Sequence, residues 1–147
     1  MIIVEIPVMN PSPQSVEFLI VDDDAPLSAF FRAYLETKGH SCFAIRDASD
    51  TIAWLRANHC AVAIIDLKMP KIDGISLVSL VREFDSALPV IVLTGAGYDE
   101  DQMHAALRAG ANGYVSKNLP VEQLYRVLSR ILGMTRHPAR GELLGAA

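Results

Sequence analysis

Only two of the 147 residues are cysteine, Cys42 and Cys60, and tryptophan occurs once. So few thiols exclude a disulfide scaffold and point to a reducing compartment, so a cytoplasmic location is expected. The N-terminus carries no basic segment, and Glu5 and Pro7 interrupt its apolar stretch, so it does not read as a secretory signal. No apolar run approaches the ~18 residues needed to cross a bilayer, which argues against membrane insertion. Positive charge is not in excess either: 13 Lys and Arg stand against 17 Asp and Glu, and the basic residues are scattered. Without a basic patch there is no electrostatic footprint for nucleic acid, and no direct nucleic-acid contact by this chain is expected. Internal repeats are absent.

Apolar residues make up 51% of the chain, enough for one domain with a single well-buried core. Residues 1–16 split into an apolar stub, Met1 to Met9, and a Pro/Ser segment, and read as a flexible arm; Pro7 confines any strand there to an edge. From Glu17 onward short β-type runs alternate with helical patterns, the signature of βαβ units around a parallel sheet. Strands are predicted at Phe18 to Val21, Cys42 to Ile45, Ala61 to Ile65, Val90 to Leu93 and around Tyr114. Helices are predicted from Pro26 to just before Gly39, from Ser49 to Asn58, from Asp73 as cap to Phe84, from Glu100 to Ala109, and from Pro120 to Leu132. This is an α/β chain with a doubly wound, five-stranded parallel sheet of order 2-1-3-4-5, the flavodoxin-like (βα)5 arrangement. The domain is placed at 17–132, with 133–147 as linker or disordered tail.

Charged and hydroxyl residues sit just past these apolar runs. Asp22 and Asp23 follow the first, Asp66 the third, Thr94 the fourth and Lys117 the fifth. Parallel strands bring such positions to one sheet edge, where open α/β sheets bind ligands. Asp24 suits a cap for the helix beginning near Pro26, whereas Asp22 and Asp23 suit a hard cation such as Mg²⁺. A carboxylate such as Asp66 can attack phosphorus if a metal and cationic donors neutralise the phosphoryl oxygens. Asp23 is the candidate metal ligand, with Lys117 and Thr94 as candidate donors. Gly95-Ala96-Gly97 lets backbone approach an anion closely, although glycine there is also ordinary loop punctuation.

The ordered set resembles the receiver domain of bacterial two-component response regulators, the CheY-like family. The resemblance rests on the acidic pair after the first strand, Ile65-Asp-Leu-Lys-Met-Pro70, Asp73-Gly74, Thr94-Gly95 and Gly110-Ala-Asn-Gly-Tyr-Val-Ser-Lys117, and covers about residues 17 to 132. It implies that Asp66 is the phosphoacceptor for the phosphohistidine of a sensor histidine kinase or histidine phosphotransfer protein. It implies Mg²⁺ held by Asp23, Asp66 and the backbone carbonyl of Lys68, with Asp22 acting through a water. Lys117 then pairs with the phosphoryl group, Thr94 turns its hydroxyl toward it, and Tyr114 is either the aromatic switch or a core aromatic. The implied output surface is helix four, strand five and helix five, facing a downstream effector protein or a second copy. Tyr125 and Leu132, off the predicted core stripe of the last helix, are candidate partner contacts. The role is signalling, with no turnover enzyme expected. One departure is Asn118, which stands where the family commonly has a cis proline; a cis bond here costs ~3 kcal/mol, so a trans bond is expected.

Three other readings compete. The chain can be the receiver fragment of a longer DNA-binding transcriptional regulator, although no output domain is recognisable in it. Asp22-x-Asp24 also resembles the nucleophile motif of small aspartate-dependent phosphatases, but Pro26 departs from that motif. A flavin binder of the same fold needs a phosphate-cradling loop where three carboxylates stand. Finally, His40, Cys42, His59 and Cys60 lie near strand starts, but strands separated by another strand are ~10 Å apart, too far for zinc.

Overall fold

The computed structural model describes residues 13–95 and 99–135. Most of the expected arm (1–12), most of the tail (136–147), and Ala96 and Gly97 of the glycine-rich loop lie outside the described residues. The strands are β1 (Ser15–Val21), β2 (Cys42–Ile45), β3 (His59–Asp66), β4 (Val90–Thr94) and β5 (Gly113–Ser116). The helices are α1 (Ala25–Thr37), α2 (Thr51–Ala57), α3 (Gly74–Phe84), α4 (Glu100–Ala109) and α5 (Val121–Thr135). All strand pairs are parallel and the order is β2-β1-β3-β4-β5, the predicted flavodoxin-like arrangement.

The apolar runs form the sheet centre because both faces are covered. Alternation along the strands divides the core. Leu19, Val21, Ala63, Ile65, Val90 and Val92 face Leu55 of α2 and Leu77, Val78 and Val81 of α3. Phe18, Ile20, Val62, Ile64, Ile91 and Leu93 face Phe31 and Leu35 of α1 and Leu124, Leu128 and Leu132 of α5. Cys60 belongs to the first layer and Cys42 to the second, so the two thiols cannot share a metal. Burial pushes both thiols up to about 12.

Three aspartates start three helices by accepting a backbone N–H in the first turn: Asp24 from Leu27 (3.0 Å), Asp73 from Ser76 (2.8 Å) and Asp99 from Gln102 (3.1 Å). Helix α4 ends at Gly110, whose φ of 118° is left-handed. Arg82 of α3 packs against that glycine, donates to its carbonyl and to those of Asp85 and Leu88, and bonds Asn112 Oδ1. One guanidinium thereby ties the ends of α3 and α4 to the entry of β4.

Boundaries differ from expectation where tertiary bonds extend or split an element. β1 begins at Ser15, opposite His59, because His59 N donates to Gln14 O and lengthens both strands. The second helix is split into a 3-10 turn, Ala48–Asp50, capped by Asp47, and α2 proper. The last helix presents Leu124, Leu128 and Leu132 inward at four-residue spacing, which corrects the expectation for Leu132: it is 2% exposed, in the core. Tyr125 is half-buried as well, its hydroxyl 2.8 Å from His40 Nε2 while His40 Nδ1 meets Glu17 at 2.6 Å. Neither is a free partner contact, because the α5 stripe drifts around the helix with each four-residue step.

Gly74, first residue of α3, shows how tightly this helix abuts the end of β3. A Cβ there would lie 2.4 Å from the Asp66 carbonyl oxygen and 2.7 Å from Leu67 Cα, both backbone atoms that cannot rotate away. Gly74→Ala is therefore expected to destabilise the fold by about 1–3 kcal/mol, as overpacking does, in a urea or thermal unfolding measurement.

Candidate functional site

Strand register delivers the predicted residues to one edge. Val21 pairs with Ile65, Asp66 with Leu93, and Thr94 with Ser116, so the residues ending β1, β3, β4 and β5 finish level with one another. Asp22, Asp66 and Thr94 are buried, at 4%, 6% and 1% exposure, while Asp23 is exposed. Ligand oxygens of Asp22, Asp23 and Asp66 lie within 4.8 Å of one another. Asp24 does not join them; its carboxylate caps α1, as expected, and its N–H donates to Asp22 Oδ1 at 2.9 Å.

Lys117 closes the site from β5. Its ammonium lies 3.0 Å from Asp66 Oδ1 and 3.1 Å from Asp22 Oδ2. Its stem passes over Gly95, where an added Cβ would meet Lys117 Cδ at 3.7 Å. Lys117 N donates to Thr94 O at 2.8 Å, fixing the start of the β5–α5 loop against the end of β4. Asn118 adds a second tie, its side-chain amide donating to Gly95 O at 3.3 Å. No peptide bond among the described residues is cis, so Lys117-Asn118 is trans as expected.

One ammonium among three clustered carboxylates leaves negative charge uncompensated. Burial, with the neighbouring charges of Asp22 and Asp23, pushes Asp66 up to about 6, although its bond to Lys117 works in the opposite direction. For Lys117, burial opposes the charged form, but the bonds to Asp66 and Asp22 outweigh it and hold the ammonium above the ordinary lysine range. Such an arrangement of hard oxygen donors in excess of local positive charge fits a small divalent cation such as Mg²⁺. Lys68, whose carbonyl was the further expected ligand, is exposed in the loop after β3. Tyr114 packs partly buried against the core, and its hydroxyl donates to Gln102 Oε1 of α4 at 3.4 Å.

Two features of the site escaped sequence reasoning. Lys71 adopts a φ of 69° in the β3–α3 loop, and its ammonium meets Asp47 at 2.9 Å. Nothing local marks that lysine for a left-handed conformation. Gly74 sets the distance between α3 and Asp66; its signal was its place directly after a capping aspartate, visible as Asp73-Gly74.

An acidic cluster with a bridging lysine, at the carboxyl edge of a 2-1-3-4-5 parallel sheet, defines a receiver-type site. A family profile described as the response regulator receiver domain matches residues 18–129, and the chain belongs to that family. Among curated relatives, the virulence transcriptional regulatory protein PhoP of Salmonella typhimurium is 34% identical over 118 residues, covering 80% of this chain and 51% of PhoP. The chain thus spans about half the length of the curated relatives it matches. The receiver domain of Francisella response regulator 1452 superposes with a TM-score of 0.75 at 26% identity, covering 82% of this chain and 98% of that one. A CheY-like receiver domain from Methanospirillum hungatei gives 0.76 at 23% identity over 87% of this chain and 99% of its own, which supports the fold alone. No helix among the described residues is long and apolar enough to cross a membrane.

The raised Asp66 pKa has a definite consequence for stability. The folded state holds this proton more tightly than the unfolded chain, so stability falls as pH rises from the ordinary carboxylate value of 3.8 through about 6. Asp66→Asn removes that slope while Asp22 still holds Lys117. Melts in EDTA from about pH 4 to about pH 7 are expected to show a higher Tm for the variant at neutral pH and a flatter profile.

Proposed function

We propose that this chain is a phosphoacceptor switch in which Asp66 receives a phosphoryl group from the phosphohistidine of a sensor histidine kinase or histidine phosphotransfer protein. The observation that carries this reading is the Lys117 ammonium held 3.0 Å from Asp66 and 3.1 Å from Asp22 inside an acidic cluster. An Asp66 oxygen attacks phosphorus, the phosphorus–nitrogen bond breaks as the oxygen–phosphorus bond forms, and the imidazole leaves with the bonding pair. Lys117 neutralises one phosphoryl oxygen and the Thr94 hydroxyl donates to another.

Asp22, Asp23, Asp66 and the backbone carbonyl of Lys68 are the groups to hold Mg²⁺, with Asp22 acting through a water; the bound ion supplies charge neutralisation at the transferring group. Phosphorylation adds roughly −1.5 to −2 charges and three acceptor oxygens. Drawing Thr94 toward them opens space for Tyr114, which already touches α4 through Gln102, and so biases the surface made by α4, β5 and α5 toward an effector or a second copy. In this reading residues 17–132 form the receiver unit, with an arm before it and a linker after it, acting in the cytoplasm.

A second reading has a specific observation behind it. The chain matches only 51% of PhoP, a protein named as a transcriptional regulator, so it also suits the receiver part of a longer DNA-binding regulator. In that case the α4-β5-α5 surface serves pairing of two receivers.

Incubation with Mg²⁺ and a small phosphodonor, followed by intact mass, tests the assignment. Wild type is expected to gain one phosphoryl group and Asp66→Ala none; equal gain by both removes Asp66 as acceptor. Mg²⁺ is also expected to raise the Tm of wild type, by about 2.7 kcal/mol of stabilisation at ~100-fold excess over its dissociation constant. Asp23→Ala should lose most of that shift in the same melts.

A further inference from the structure

The β3–α3 loop carries the one described residue other than glycine with positive φ, Lys71, at 69°. Ile72 N donates to Pro70 O at 2.7 Å across it, which makes these three residues a γ-turn of positive φ, rare and strained for a residue with a side chain. Such a turn persists where its surroundings over-determine it. The ends of the loop are fixed: Leu67 N donates to Leu93 O and Gly74 N to Leu67 O, each at 2.8 Å. Met69 and Ile72 pack against the core, and Pro70 fixes its own φ. A further tie comes from outside the loop. Lys71 Nζ meets Asp47 Oδ2 at 2.9 Å, 24 residues away in the chain.

Asp47 is set to hold that lysine. Its other oxygen accepts from Ser49 N at 3.0 Å and from Ser49 Oγ at 2.6 Å, which orients the carboxylate independently of Lys71. It follows closely on Ile45, the last residue of β2, whose carbonyl accepts from Asp22 N at 3.0 Å. The end of β2 thus holds the acidic pair through its backbone and the β3–α3 loop through Asp47. Because β1 lies between β2 and β3, the Asp47–Lys71 bridge crosses the end of β1, where Asp22 and Asp23 stand, and Asp23, Asp47 and Lys71 line one groove. An exposed ion pair adds little to stability, which leaves position as its use.

We propose that Asp47 and Lys71 are positioning residues for the divalent cation: their bridge holds the strained turn so that the Lys68 carbonyl is fixed as a ligand. The role presupposes that the acidic cluster holds Mg²⁺ and is independent of phosphoryl transfer to Asp66. A loop free to relax its γ-turn carries that carbonyl with it. Mg²⁺ demands near-octahedral oxygens at ~2.0–2.1 Å, whereas Ca²⁺ accepts a wider range of distances and angles. A preset carbonyl therefore favours Mg²⁺ over Ca²⁺, and a loosened one loses that preference.

Calorimetric titration of the full chain with Mg²⁺ and with Ca²⁺ tests the assignment in wild type, Lys71→Ala, Asp47→Ser and the double variant. Serine keeps a capping oxygen for the 3-10 turn but is too short to reach Lys71. Each single variant is expected to lose about tenfold of the Mg²⁺-to-Ca²⁺ affinity ratio, the low end for residues that orient a metal ligand from outside the ligand set. The double variant should lose no more than either single one, since the two side chains act as one unit. Charge alone predicts otherwise: removing Lys71 strengthens and removing Asp47 weakens the binding of both ions, with the ratio unchanged. That pattern, or equal ratios in all four proteins, would overturn the proposal. All four are expected to melt alike in EDTA; a lowered Tm with the ratio unchanged would make the pair merely structural and overturn it equally. Wild type that binds neither ion would remove the Mg²⁺ reading and the proposal with it.

Discussion

The bridge from Lys117 to Asp22 and Asp66 is the interaction on which the site depends. It joins the last strand to the first and third across the carboxyl edge of the sheet. Without it, two buried carboxylates would share a low-dielectric edge with a third and no protein cation, and that is strongly unfavourable. The fold makes the bridge possible through register: β1, β3, β4 and β5 end level, so a lysine from the far side of the sheet reaches two aspartates with one ammonium. The same bridge leaves the cluster short of positive charge. A site balanced in that way is stable enough to fold and still attractive to a divalent cation.

Much of this was legible in the sequence because parallel strands turn linear spacing into geometry. A buried central strand reads as an unbroken apolar run, so the residue after each run marks the edge, and Asp22, Asp66, Thr94 and Lys117 were found in this way. Helix starts were legible at Asp24 and Asp73, since a capping carboxylate acts within its own first turn. What was not legible depended on contacts between elements distant in the chain. The inward turn of Leu132 follows from the path of α5 across β1 and β3, and periodicity over one helix cannot supply that path. Tyr125 looked free for the same reason; its partner, His40, is 85 residues away. Lys71 in a left-handed conformation is set by the loop and by Asp47, and lysine carries no local preference for it.

The edge opposite the site is built on different chemistry. There Arg82 satisfies carbonyls at the ends of α3 and α4, Asn112 pairs with Val90 through N–H and C=O, and His40 links Glu17 to Tyr125. Here every acceptor named is met by a donor from the protein itself. Structural polar networks thus occupy one edge of the sheet, while the other edge keeps its unbalanced carboxylates.

That division gives α4 unequal ends. Its C-terminal turn is clamped by Arg82 through the Gly110 carbonyl, whereas its N-terminal turn follows the loop that leaves Thr94. In the proposed switch, a displacement that begins at Thr94 would tilt the helix about its clamped end rather than slide it along the sheet. The guanidinium would serve as the fulcrum of that movement, with the ten residues of α4 as its lever.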